Sequence, residues 1–304
     1  MKKKFLVLVF VLLFARILSA QERGQYIPGL AGLNSGHQAP PGWLYANYLI
    51  WYPTDRFNDR NGDEALTNFD LDLIVDLNVV AYTSKAKLLG ATYGFSVGIP
   101  ISNTAISLPF LANDITTFGL ADIYVEPINL GWSKPHEWYI KAAYGFMAPT
   151  GKFDEHGTET TTTDYWGHEF TLAGTRALGQ TKLWQLSVSS NWEFHQTKRH
   201  EDVKVGNNMT LEYGFGKTII HNQGKQLFQL GVVGYGEFQL TEDSGADVTN
   251  LNRGSKDHVF ALGGEFGIIW PANKFNLMVR VIPEFGAHSR TQGLTFVAAV
   301  AKGF

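Results

Sequence analysis

Carboxylates recur at alternating positions in two stretches of the sequence: Asp70, Asp72 and Asp76 in one, Asp122 and Glu126 flanking Tyr124 in the other. In an extended chain such spacing puts the side chains on one face. Glu193, Glu212, Glu237, Glu265 and Glu284 hold comparable positions further on, with Lys141, Lys204 and Arg280 as counter-charges. Rows of both signs facing an enclosed space support two chemistries. They pair with one another and stiffen the interior, or they narrow a polar path and select what passes. In the second reading Asp122, Tyr124 and Glu126 oppose Arg280, and Asp70, Asp72, Asp76 and Glu265 line the same path.

Other chemistries find less support. Ser187 or Ser189 shares a face with His195, but six or eight residues separate them, roughly 20 Å or more at strand rise. No G-x-S-x-G turn occurs, so a hydrolase is the weakest reading and no catalytic residue is assigned. The nine histidines lack metal-ligand spacing and there is no cysteine, so no metal, cofactor or disulfide framework is expected. Gly214-Phe215-Gly216 and Gly263-Gly264 precede no helical pattern, which makes them close-packing or kink positions in strands rather than phosphate loops.

The elements that must position these residues are strands. Phe69, Leu71, Leu73, Val75, Leu77 and Val79 alternate with Asn68, Asp70, Asp72, Asp76 and Asn78, and the pattern returns over 183–195, 204–215 and 275–285. Such segments exceed the usual 5–6 residues of soluble strands and suit a tilted membrane crossing of about 9–11. Twelve strands are expected, near 43–52, 68–82, 87–101, 117–132, 136–148, 164–178, 182–196, 204–220, 225–239, 257–270, 274–286 and 292–304. Turns of three or four residues, such as Thr83–Ala86, alternate with longer polar loops at 53–67, 102–116, 149–163 and 240–256. That alternation predicts an all-β transmembrane, antiparallel, up-and-down β-barrel. A further apolar strand within 102–116 would raise the total to fourteen, although Pro100 and Pro109 oppose continuous pairing there.

Composition agrees. Charged residues are 17% against a norm of about 25%, aromatics are 13%, and no stretch beyond residue 20 reaches the length of an apolar helical span. Lys2–Lys4, the apolar run Phe5–Phe14 and Leu18-Ser19-Ala20 have the layout of a secretory signal peptide over residues 1–20. Its removal takes four of the 25 Lys+Arg and none of the 28 Asp+Glu, leaving a net charge of −7 that argues against a nucleic-acid partner. Trp43, Trp51, Tyr52, Trp132, Trp138, Trp166 and Trp270 fall at strand ends, where rings suit the headgroup layer. The last strand, ending on Phe304, is the segment expected to engage barrel-assembly machinery. Residues 21–42 are too rich in Gly and Pro for a strand, yet hold Tyr26, Pro28, Leu30 and Leu33. They are expected to enter the barrel of 43–304 as a small plug or to lie outside it in the periplasm.

Three runs carry a family resemblance: YIPGLAGLNSGHQAPPGWLYANYLIWY (26–52), GLADIYVEPINLGW (119–132) and FMAPTGKFD (146–154). Together they resemble the family labelled as involved in the meta-pathway of phenol degradation, a set of outer-membrane transporters. The matching residues are Pro28, Gly29, Gly32, Pro40, Pro41, Gly42, Gly119, Asp122, Pro127, Gly131, Trp132, Pro149, Thr150 and Gly151; Ala121-Asp122 stands where the family commonly has Gly-Asp. The resemblance implies a barrel surrounded by outer-membrane lipid that passes small apolar or aromatic solutes, such as phenols, and it supplies no catalytic residue. The alternative is a non-transporting barrel acting at the surface through the loops 149–163 and 240–256.

Overall fold

The computed structural model describes residues 24–109, 113–155, 159–249 and 254–304, so the leader expected at 1–20 lies outside the described residues. The strands are β1 (Gly42–Thr54), β2 (Asp70–Leu88), β3 (Ala91–Ser107), β4 (Ile115–Leu120), β5 (Ile123–Lys134), β6 (Trp138–Ala148) and β7 (Gly167–Leu178). They continue as β8 (Trp184–His195), β9 (Asn208–His221), β10 (Gln226–Gln239), β11 (His258–Trp270), β12 (Phe275–His288) and β13 (Leu294–Gly303). β1 pairs with β13 from Leu44↔Gly303 to Trp51↔Phe296, which closes the sheet on itself. A closed ladder leaves no unpaired edge, the condition for strands to stand in lipid.

β4 adds no stave. It pairs with β3 from Ile101↔Leu120 to Ile106↔Ile115, and β5 pairs with the same strand lower down, between Thr92↔Gly131 and Gly98↔Tyr124. The two are one line interrupted at Ala121–Asp122, giving a twelve-strand antiparallel barrel with one short extra strand. The loop expected over 102–116 is correspondingly shorter, because β3 keeps its partners on β2 up to Ser107. Pro100 sits within β3 opposite Leu77, and its carbonyl still accepts from Ala121 N at 3.0 Å. The turn expected at Thr83–Ala86 moves outward as well. The β2–β3 pairing shifts register between Thr83 and Lys87, then runs on to Leu89–Gly90, whose φ values of 53° and 76° suit a two-residue hairpin. Short connections lie at this end of the barrel and the longer ones at the other, where only 289–293 between β12 and β13 is short.

The wall is sorted by alternation. On β8, Ser187, Ser189, Asn191, Glu193 and His195 are buried inside, while Trp184, Leu186, Val188, Trp192 and Phe194 face out. The outward set continues around the barrel through Leu172, Phe215, Val232, Leu262, Phe266 and Val281. Among the described residues no helix is long and apolar enough to span a membrane; the crossings are strands.

β2 runs the opposite way from the expectation. Val75 is buried and packs with Ile50 and Val297, joined by Leu73, Leu77, Ile27 and Leu30. Asp76 instead pairs with Leu49 and Ile101, both exposed on the outer face. Asp70, Asp72 and Asp76 therefore share the outer face of the wall. Their inward placement is corrected because this part of the interior is apolar and takes the apolar side of β2 against Ile27 and Leu30.

Candidate functional site in the barrel interior

Residues 24–38 run among the inward side chains of β1, β2 and β5 to β13. Glu265 and Arg280 are directly opposite on β11 and β12, and both are almost fully buried. Arg280 Nε donates to Glu265 Oε2 at 2.7 Å, Nη1 to the carbonyl of Gly29 at 2.7 Å, and Nη2 to that of Ala31 at 3.4 Å. Glu265 Oε2 also accepts from Leu33 N at 3.1 Å. The planar guanidinium fork thus serves a carboxylate and two backbone carbonyls together. Gly32 lies against this pair with φ +57°, and a Cβ there would collide with both side chains.

Leu33 is 1% exposed and fills a socket of glycines. A Cβ on Gly216 or on Gly231 would come within 2.8 Å of its methyl carbons, and one on Gly214 within 3.2 Å of its Cα. This explains why the Gly-Phe-Gly run exists. Ser187 Oγ donates to Leu33 O, and Gly36 N to Thr175 Oγ1 at 3.0 Å. Asn34 Nδ2 donates to Gln229 Oε1 at 2.8 Å, and Gln38 Nε2 to the Asn129 carbonyl at 3.1 Å. Glu193 accepts from Gln25 N at 2.6 Å and from Tyr26 N at 2.7 Å, while Glu212 accepts from the Tyr26 hydroxyl and from Ala31 N at 3.1 Å. Leu30 lies on the Ile50–Val75–Val297 cluster, and Pro28 is half-buried beside it in sequence. His37 packs edge-on against Tyr139 at 3.7 Å, and burial pushes its pKa down to about 4.

Asp122 occupies the break between β4 and β5. Its carboxylate accepts from Gly151 N at 3.1 Å and from Thr163 N and Oγ1 at 2.7 Å each, so it ties down both ends of the 149–166 connection. Thr163 Oγ1 in turn accepts from Gln25 Nε2, which links this anchor to the N-terminal segment. Asp122 thereby stands apart from Tyr124 and Glu126, which belong to a separate network. Tyr124 OH donates to Glu169 Oε1 at 3.2 Å and lies 3.5 Å from Glu126 Oε2; Asn129 Nδ2 donates to Glu126 Oε1 at 2.6 Å. Thr171 Oγ1 bridges Glu169 at 2.9 Å and Asn191 at 2.8 Å. The β5–β6 pairing slips between Val125 and Ile128, so the inward parity changes from Tyr124 and Glu126 to Asn129. Among the described residues no Lys or Arg pairs with Glu126, Glu169, Glu193 or Glu212, and this half of the interior is acidic.

Glu169 was not singled out by sequence reasoning, although it alternates regularly within His168–Thr171. Arg290 was missed altogether. It is buried near the long-loop end and contacts Glu237 at 2.9 Å and Asp257 at 3.1 Å. It lies in a short loop, where alternation gives no signal. Among the described residues no three metal-ligating side chains converge.

A closed antiparallel barrel with an apolar outer wall and a charged, hydrogen-bonded interior is a channel- or transporter-type barrel of the bacterial outer membrane. The chain belongs to the family described as "Putative MetA-pathway of phenol degradation", whose model matches residues 54–300. That match starts beyond the run 26–52, which supplied part of the resemblance. Among solved structures the fold is similar to an outer membrane channel from Pseudomonas putida F1, with TM-score 0.75 and 12% identity over 92% of this chain and 100% of that one. It is also similar to the β domain of a Bordetella autotransporter, with TM-score 0.56 and 12% identity over 87% and 100%. No curated protein sequence matches the chain. The family and these neighbours are membrane barrels, not enzymes.

Proposed function

We propose that this barrel is a narrow channel for small hydrophobic or aromatic solutes, phenols among them, with residues 24–41 acting as its plug. The observation that carries the reading is the seating of that segment. It is held by Glu193, Glu212, Glu265 and Arg280 through hydrogen bonds that water or a solute can replace, and by Leu33 in its glycine socket. A twelve-stranded lumen lies between the side-chain-filled interior of about eight strands and the open channel of about sixteen, so a segment of this size suffices to close it. Tyr26, Tyr124 and Glu126 supply rings and acceptors that suit a phenolic hydroxyl, and the carboxylate-rich side disfavours anions. Arg280 and Glu265 serve as the latch for the segment, and Asp122 as its indirect anchor through Thr163.

The family description and the likeness to the Pseudomonas putida outer membrane channel support transport of this kind. The last strand, ending at Phe304, serves in this reading as the contact for barrel-assembly machinery. Cells that lose the gene and then regain it test the function: uptake of phenol-like solutes should fall and recover. Uptake that is unchanged on deletion rules the reading out.

A further inference from the structure

The outer wall carries a polar stripe where lipid is expected. Asn47, Asp76 and Asn78 face outward, as the register Asn47↔Asn78 and Leu49↔Asp76↔Ile101 requires, because Leu49 and Ile101 are exposed and the alternate pair Ile50↔Val75 is buried. Asn103 joins them opposite Ile74, which is likewise exposed. Asn47, Asp76 and Asn78 lie between two aromatic levels, Trp51 with Phe296 on one side and Trp43 with Tyr82 and Phe95 on the other, while Asn103 is on the Trp51 rung itself. Trp43 and Trp51 are eight residues apart on β1, roughly 26 Å of strand, comparable to the apolar band of such barrels. Asn47 is midway between them. Around β7 to β13 the outward mid-strand positions are mostly Leu, Val, Phe and Ile with small residues between them, and Ser190 and Tyr213 are single polar exceptions that hydrogen-bond to backbone carbonyls of the neighbouring wall.

The hydrogen bonds within the stripe converge on one side. Asn47 Nδ2 donates to Asp76 Oδ1 and lies 3.3 Å from Asn78 Oδ1, while Asn78 Nδ2 donates to Asp76 Oδ1 at 3.2 Å and Tyr45 OH to Asn78 Oδ1 at 2.7 Å. Among the described residues nothing donates to Asp76 Oδ2 or Asn47 Oδ1, the second hydrogen of Asn78 Nδ2 is unused, and the Asn103 amide is unengaged. No Lys or Arg among the described residues pairs with Asp76. Hydrocarbon offers no partner to such groups, and ionisable residues at this depth persist where another polar surface meets them.

We infer that this stripe is the contact surface between two copies of the chain, related by a two-fold axis along the membrane normal. Copies inserted in the same direction present every residue at the same depth, so such an axis brings each stripe against its own duplicate. The unused groups are then complementary: the spare Asn78 hydrogen of one copy meets the bare Asp76 oxygen of the other, reciprocally, and each Asn103 amide offers both a donor and an acceptor. Between proteins in lipid the hydrophobic effect gives no driving force, and packing and hydrogen bonds between polar groups supply it. That favours the stripe over the rest of the outer wall as the surface that associates. The inference does not depend on what the channel carries.

The chain has no cysteine, so single cysteines report contacts cleanly. Leu49→Cys lies on the rim of the stripe, and Val232→Cys lies on the outer face of β10 as a control. Oxidation in native outer membranes should give a disulfide-linked species of twice the chain mass from Leu49→Cys and none from Val232→Cys. Native mass spectrometry of the unmodified protein should show a dimer that becomes monomeric in the Asp76→Leu, Asn78→Leu double variant. The barrel of that variant is checked separately by its heat-dependent gel mobility. A monomer in both membrane and mild detergent, equal cross-linking at both cysteines, or a Leu49→Cys adduct to a different protein overturns the inference. The cross-linking arm decides the matter even if the double variant fails to fold.

Discussion

Arg280 is the residue on which the interior turns. It is a buried cation whose donors go to Glu265 and to the carbonyls of Gly29 and Ala31. Removing one member of a buried ion pair leaves the other charge uncompensated, at a cost of about 3–5 kcal/mol. Arg280→Ala should therefore lower the denaturant midpoint and also release the N-terminal segment, raising single-channel conductance. Arg280→Met combined with Glu265→Leu should recover most of the stability but not the closure. His37 gives the same segment a pH dependence. Burial holds its folded pKa near 4 against an ordinary value of 6.5, so the seated form binds fewer protons than the released form between those values. Seating is then strongest above pH 6.5 and weakens as pH falls towards 4, with no further loss below that. Conductance of the refolded protein should rise over that window, and His37→Gln should flatten the rise.

At the scale of elements, the break at Ala121–Asp122 decides how the wall meets its loops. Three donors from Gly151 and Thr163 converge on Asp122, and hydrogen bonds to a charged group contribute about 1.5–3 kcal/mol each. Asp122→Ala should free the 149–166 connection: limited proteolysis should cut there while the barrel keeps its heat-dependent mobility. The same region shows what was legible in the sequence. Period-2 patterning located every stave, because a wall between lipid and a polar interior forces that pattern, although β2 and β3 run on to Leu88 and Ser107, well past the ends expected at 82 and 101. It failed where the rule does not apply. Pro127 lies where the β5–β6 register slips, which decouples Asn129 from the parity of Glu126. The face of β2 was misassigned because alternation alone cannot say which side is inside. Only the apolar seat of Ile27 and Leu30 settles it, and that contact spans distant parts of the chain. Asp122, read as lining a path, has its ligands some 30 and 40 residues away, beyond the reach of any local pattern.

At the scale of the whole molecule, closure between β1 and β13 encloses an interior with two unlike halves. One is latched by Arg280. The other is the acidic group Glu126, Glu169, Glu193 and Glu212, where a cation would gain and an anion would lose. Once the segment is released, the reversal potential in a salt gradient should show preference for cations, and neutralising Glu126 to Gln should reduce it. In the proposed function residues 24–41 close a channel for small apolar solutes. The most direct test is phenol influx into proteoliposomes holding either residues 21–304 or the same chain lacking residues 24–41. Influx through the first should be measurable, through the second several-fold faster, and a benzoate-sized anion should be excluded by both. Equal influx through the two proteins, or none above protein-free vesicles in either, would contradict that function.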